Sequence, residues 1–303
     1  MQPIPTDFAR RMVELHGPRG EAWLRELPRL VDACARRWSL QVLPHFPGLS
    51  YNYVAPAVDR NGTPLVLKLG VPTAELSSEI AALRFYDGHG IARLLDADEA
   101  QGALLLERLQ PGTELITLED DEQATAIAAQ VMRELWRPIP PDHPFPTVAT
   151  WGAGFARLRA HFQGGTGPFP PELVARAEGI FAEFLASMAE PVLLHGDLHQ
   201  YNILASTRRP WLALDPKGIV GEPAYEPGAF LRNPLPDLLT WPQPARALAR
   251  RIHIFAEILE LERERILGWG MAQAVLSAWW SYEDHGHGWE PAMACAELLA
   301  GLM

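Results

Sequence analysis

Cysteine is nearly absent from this chain of 303 residues: there are only two, Cys34 and Cys295, far apart and each in a helix-like segment. A disulfide framework or a clustered thiolate metal site therefore has no support, and two buried thiols are expected. Runs of lysine or arginine are missing as well, and the formal net charge is -11. Binding a phosphate backbone depends on a basic surface, so no nucleic-acid partner is expected. No apolar run approaches the roughly 20 residues that span a bilayer, and the N-terminus MQPIPTDFARRMVELHG lacks the apolar stretch of a secretory signal. A cytoplasmic protein without a membrane partner is the expectation. Internal repeats and low-complexity tracts are lacking too, whereas 28 prolines and 24 glycines imply many rigid loops.

What is present suits a globular protein of two subdomains, since 48% of the residues are hydrophobic. The acidic balance can steer a cationic small molecule, although an ordinary solvated surface gives the same number. Residues 21 to 39, EAWLRELPRLVDACARRWS, carry apolar positions at helical spacing and predict a leading helix. Three short extended runs follow, QVLPHF, SYNYVAPAV and TPLVLKLG, the last two joined by the turn DRNG. Thr73 is placed to cap a helix from Ala74 to Tyr86. Two more strands, IARLLDAD and GALLLERL, flank a turn at Gln101 and Gly102. After the breaker Gln110-Pro111-Gly112 the pattern turns helical over 119 to 136, 151 to 163, 172 to 189 and 241 to 302, with breaks expected at Gly268 and in DHGHGWEP.

One stretch interrupts those helices. VLLHGDLHQYNIL, residues 192 to 204, places polar groups between two apolar runs, and the chain then turns at STRRP and returns as WLALD. A hairpin of that length sets Asn202 opposite Asp215, because paired strands lie about 5 Å apart. Oxygen ligands on rigid elements suit Mg2+ held partly by substrate phosphates. Asp197, in the loop leading into the hairpin, faces the same spot. One carboxylate to orient and deprotonate a hydroxyl, with an asparagine and a second aspartate for metal, is what phosphoryl transfer requires. His195, Asp197 and Asn202 fit H-x-D-x-x-x-x-N. A metal hydrolase using His195, Asp197 and His199 is a competing reading, but further histidines at ligand spacing are lacking nearby.

These residues resemble the aminoglycoside phosphotransferases of the protein-kinase-like fold. The continuation WLALDPKGIVGEPAYEPGAFLRNP is similar to the streptomycin 6-kinase and hydroxyurea phosphotransferase branch. The resemblance implies an α+β, two-lobed fold, with a small antiparallel N-terminal lobe over residues 1–109 and a helical C-terminal lobe over 110–303. It implies ATP and Mg2+ as cofactors, Asp197 as catalytic base, Asn202 and Asp215 as metal ligands, and a loop-bracing role for His195. Lys68 in LVLKLG matches the lysine that pairs with nucleotide phosphates, and Glu79 matches the helix glutamate that orients it. Glu75, one turn away, fits the spacing equally well. The loop FPGLSYNYV, with Ser50 and Asn52, is implied to cover the phosphates, and Glu107 and Leu109 to line the adenine site. That loop has a single glycine, Gly48, and matches neither G-x-G-x-x-G nor Walker A. Lys217 follows the metal aspartate and is a candidate for phosphate or substrate contact.

The implied acceptor is a hydroxyl of a small molecule, most simply the 6-hydroxyl of the cationic aminoglycoside streptomycin, in an antibiotic-inactivating kinase that works as a monomer or weak dimer. A buried guanidinium needs carboxylate partners, for which Glu222, Glu226 and Asp284 are candidates, with Tyr225 beside them. Trp279, Trp280, Tyr282 and Trp289 either wall such a pocket or pack the core. Hydroxyurea or another small metabolite is the alternative acceptor. A kinase-like protein that binds ligand without turnover is the alternative from a different class.

Overall fold

The structure, a computed structural model, describes residues 3 to 303, and its chain divides into two units, Met1–Gly112 and Thr113–Met303. In the first unit, helices α1 (Thr6–His16) and α2 (Pro18–Arg37) bury Phe8 and Met12 of one against a core that includes Trp23, Leu27 and Val31 of the other. Gly20 permits the close approach, since a Cβ there would lie 2.1 Å from the carbonyl oxygen of Met12. Helix α1 departs from the single leading helix expected, and α2 starts three residues earlier than the expected Glu21.

Strands β1 (Gln41–Val42), β2 (Tyr53–Val58), β3 (Pro64–Leu69), β4 (Leu94–Asp98) and β5 (Ala103–Glu107) form one antiparallel sheet in the order β1-β2-β3-β5-β4. Helix α3 (Ala74–Tyr86) connects β3 to β4 and starts where the sequence places it, because the Leu76 N–H donates to Thr73 Oγ1 at 3.2 Å. Lys68 sits in the central strand between Val54 and Leu104.

Strand β6 (Pro111–Glu114) straddles the division. Helix α4 (Asp121–Leu135) is capped by Asp120, which accepts from the N–H groups of Glu122 and Gln123 at 3.0 and 3.1 Å. After β7 (Arg137–Pro138) come α5 (Val148–Gly152), α6 (Gly154–His161) and α7 (Pro171–Ala186), and then four short strands: β8 (Val192–Leu194), β9 (Ile203–Ser206), β10 (Trp211–Ala213) and β11 (Ile219–Gly221). Helices α8 (Pro227–Leu231), α9 (Pro244–Leu259), α10 (Arg263–His285) and α11 (Glu290–Ala300) complete the chain.

Gly268 does not break a helix. It lies inside α10, where a Cβ would meet the Phe184 ring at 2.7 Å, so its small size admits a neighbouring side chain. The break falls instead between α9 and α10, after Glu260 in the left-handed region at φ 57°. Trp279 is buried among Phe162, Phe169 and Tyr282, and Trp289 packs edge-on to Phe169 at 5.1 Å. Most of the aromatics on the last helices are therefore core. Cys34 and Cys295 are free and buried, and burial pushes their thiols up to about 11 and about 12. Among the described residues no helix is long and apolar enough to cross a membrane.

Candidate active site

In the first unit Lys68 Nζ donates to Glu79 Oε1 at 2.6 Å, with both side chains buried. Glu75, the other glutamate at helical spacing, is exposed. A strand lysine and a helix glutamate are tolerated out of water only because each compensates the other, and the pair fixes the position of the ammonium group. The loop before β2 is anchored rather than free. Leu49 is buried in the same core as Phe8 and Met12, and Arg11 of α1 donates to the carbonyl oxygens of Leu49 at 2.5 Å and Ser50 at 3.4 Å. His45 is buried too, with Nδ1 2.8 Å from the Phe46 carbonyl oxygen. Ser50 is exposed and Asn52 half-buried beside Gly70, whose Cβ position lies 2.3 Å from Asn52 Oδ1. Glu107 Oε2 accepts from the Arg93 N–H at 3.0 Å, and Leu109 is buried.

In the second unit, β8 pairs with β11 and β9 with β10, so the two apolar runs around the polar stretch belong to different strand pairs. The loop from His195 to Asn202 is held at both ends. His195 is fully buried; its Nε2 donates to the Leu214 carbonyl at 2.8 Å and its Nδ1 accepts from the Asp197 N–H at 3.2 Å. That pattern assigns the neutral Nε2–H tautomer. Burial lowers the imidazole to about 4, partly opposed by the Leu214 carbonyl and the nearby charge of Asp197. From the other side, the His195 carbonyl accepts from the N–H groups of Lys217 at 2.8 Å and Gly218 at 3.2 Å. Gly196 sits at φ 86°, and a Cβ there would meet Ile219 at 2.9 Å, so the position before Asp197 requires glycine.

The Asp197 carboxylate stands between an arginine and a histidine. Arg232 donates to Oδ1 at 3.1 Å, and His199 Nε2 lies 3.7 Å from Oδ2. Burial raises the carboxyl, but His199, Arg232 and Lys217 outweigh it and hold the group well below the usual carboxylate range. Asn202 donates through Nδ2 to the Asp197 carbonyl at 3.0 Å, which leaves its Oδ1 as an acceptor pointing elsewhere. The strand register sets Ala213 across from Ile203, and the Leu214 N–H donates to the Asn202 carbonyl at 3.0 Å. Asn202 therefore faces Leu214 rather than Asp215. Asp215 comes one residue later, half-buried, where the backbone leaves the strand at φ 59°.

Two of the proposed acceptor contacts, Glu226 and Glu222, are spent on the protein itself, and a third, Tyr225, lies inside the core. Glu226 is buried and accepts from the N–H groups of His195 at 2.6 Å and Gly196 at 2.9 Å; burial pushes it up to about 7 against those donors. Glu222 is buried and accepts from Arg265 Nε at 2.6 Å, the Ala189 N–H at 3.1 Å and Trp269 Nε1. Tyr225 is buried against Trp269 at 5.1 Å, and burial raises its hydroxyl. A carboxylate whose lone pairs are taken inside the core has nothing to offer a ligand. Asp284 is exposed near the end of α10, and Lys217 is half-buried and close enough to act on Asp197. Arg232 and His199 stand beside Asp197, where the sequence gives the histidine a role only in the competing hydrolase reading and the arginine none; Arg232 lies in the segment LRNP, where nothing in the spacing links it to a carboxylate 35 positions earlier.

Asn202 and Asp215 offer only oxygen donors, the ligand chemistry that suits Mg2+. Among the described residues no group of three or more His, Cys, Asp or Glu is disposed to hold a metal by itself.

Comparison with known proteins gives a consistent answer. The model of the aminoglycoside/hydroxyurea antibiotic resistance kinase family matches residues 37–285. A streptomycin 6-kinase of Streptomyces glaucescens is 31% identical, over 98% of this chain and 97% of that protein. A hydroxyurea phosphotransferase of Kitasatospora aureofaciens is 33% identical, over 98% of this chain and 86% of its own. Among solved structures, an aminoglycoside phosphotransferase in ternary complex with ADP and hygromycin B shares the fold with a TM-score of 0.57 at 14% identity, covering 88% of this chain and 97% of that one. With the family model spanning most of its length and relatives above 30% identity along nearly all of it, this chain belongs to the aminoglycoside/hydroxyurea antibiotic resistance kinases.

Proposed function

We propose that the protein transfers the γ-phosphoryl group of ATP to a hydroxyl of streptomycin, at the 6 position, and so inactivates the antibiotic inside the cell. The observation that carries the reading is the Asp197 carboxylate, held ionised among Arg232, His199 and Lys217 on a loop braced by His195 and Glu226. In the step itself the acceptor oxygen bonds to the γ-phosphorus, the bond from that phosphorus to the bridging oxygen of ADP breaks, and the hydroxyl proton passes to Asp197. A carboxylate held so acidic is a weak base, which suits a loose transition state in which orienting the hydroxyl matters more than removing its proton early. Lys68, fixed by Glu79, takes the nucleotide phosphates; the loop with Ser50 and Asn52 covers them, and the chain near Glu107 and Leu109 receives adenine. Asn202 and Asp215 would hold Mg2+, which would neutralise phosphate charge.

The alternative acceptor is hydroxyurea. One observation favours it: Glu222 and Glu226, the carboxylates that would pair with a guanidinium, are occupied inside the protein. The reading as a non-catalytic binder has the intact Lys68–Glu79 pair and the ionised Asp197 against it. Incubation with ATP and Mg2+ and either streptomycin or hydroxyurea, followed by mass spectrometry, decides between acceptors. Streptomycin heavier by one phosphate is the expected product. Modification of hydroxyurea alone transfers the assignment to the second reading, and no phosphorylated product from either at high enzyme concentration overturns both.

A further inference from the structure

Arg232 closes helix α8 and reaches in two directions. One terminal nitrogen donates to Asp197 Oδ1 at 3.1 Å and the other to Gln273 Oε1 at 3.2 Å. Gln273 is buried in the middle of α10, and its Nε2 donates to the Tyr225 carbonyl, which fixes the direction in which its oxygen points. Room for that amide exists because residue 228 is glycine: a Cβ there would lie 2.5 Å from the Gln273 side chain. The backbone next to Arg232 is pinned as well, since the Asn233 carbonyl accepts from Gln200 Nε2 at 3.0 Å and from Arg251 at 2.6 Å. Arg251 is itself buried and paired with Asp121 at 2.6 Å. A long side chain tethered at both ends loses the rotamer freedom that would let its partner drift, and the planar fork of guanidinium suits two simultaneous acceptors in a way a lysine ammonium does not.

We propose that Gln273 and Arg232 form a positioning relay from α10 to the reacting carboxylate, in which Arg232 holds Asp197 Oδ1 and so orients Oδ2, which lies 3.7 Å from His199 Nε2, toward the acceptor hydroxyl. The inference rests on the reading of Asp197 as the base. It explains why EPGAFLRNP combines a glycine, an arginine and an asparagine at these positions: Gly228 admits Gln273, Arg232 makes the contact, and Asn233 anchors the turn.

The test is steady-state kinetics on full-length variants, with streptomycin and ATP, beside guanidine rescue and thermal melting. R232M is expected to lose at least about tenfold in kcat with the KM for ATP unchanged, and millimolar guanidine is expected to restore part of the loss by filling the vacated place. Q273M and G228A, which disturb the far end of the relay, are expected to lower kcat by about threefold or more in the same direction. R232K keeps the charge and loses the fork, and it decides the matter if R232M does not fold: a kcat at least about fivefold down supports the relay. A kcat within about twofold of wild type in R232K or R232M overturns it, as does a loss that guanidine leaves untouched. D197N, run in parallel, separates the two levels: activity retained in D197N sinks the reading of the base itself, whereas an inactive D197N beside a fully active R232M sinks the relay alone.

Discussion

His195, Asp197 and Asn202 in the loop from His195 to Asn202 each have a partner that explains their type. His195 is present as a neutral donor and acceptor between two backbone groups, and Glu226 as an acceptor for two backbone N–H groups. The bracing role of His195 agrees with what the family resemblance implies, whereas Glu226 is hard to assign from sequence, because a glutamate beside such a loop looks the same whether it serves the substrate or the backbone. The distinction lies in burial, which is a property of the fold. Asp197 and Asn202 were legible because their spacing is fixed by a short loop; Arg232 was not, because its contact crosses 35 residues. The depressed pKa of His195 carries a stability consequence. The folded state excludes a proton that the unfolded chain binds near pH 6.5, so the stability contributed by the neutral imidazole is fully present above that pH and is lost as pH falls through about 4. The loss amounts to about 3 kcal/mol from this group. His195→Gln is expected to fold less stably at pH 7.5 yet show a shallower fall in melting temperature between pH 7 and 4.5. An unchanged slope would show that other groups carry the acid sensitivity.

Among elements, the strands β2 and β3 and the helix α3 were legible from alternation, the DRNG turn and the Thr73 cap, because local chemistry and tertiary packing agree there. Two elements went otherwise. Helix α1 is short, has no side-chain cap, and is held by packing Phe8 and Met12 against α2, a gain invisible without the partner. Glycine is a poor helix former, so Gly268 predicts a break, whereas close packing against Phe184 is what it supplies. Helix α1 also shapes the loop of residues 46 to 54, the candidate cover for nucleotide phosphates. The loop is tethered by Arg11 and Leu49, so its shape is preset instead of being left to a flexible glycine-rich chain. Arg11→Ala frees the tip, and ordering it again on nucleotide binding costs about 1 kcal/mol. The KM for ATP is expected to rise about fivefold, with the KM for the acceptor little changed, in steady-state kinetics. Equal KM values for ATP in the two proteins would remove the loop's tether from the account.

At the scale of the whole molecule, a net charge of -11 attracts a cationic acceptor through solution, and salt screens that attraction. If streptomycin is the acceptor, kcat/KM for it is expected to fall several-fold as added salt rises from about 20 to about 300 mM. A flat profile would favour a neutral acceptor such as hydroxyurea. The central claim, that Asp197 is the base of a phosphoryl transfer, is tested most directly by acceptor-dependent ADP release from the wild type and Asp197→Asn, with nucleotide binding to both followed by calorimetry. Loss of a positioned base costs about 10²- to 10⁴-fold, so the account predicts a fall in kcat of that size while the affinity for Mg-ATP stays within about twofold. Turnover of Asp197→Asn at the wild-type rate would contradict it.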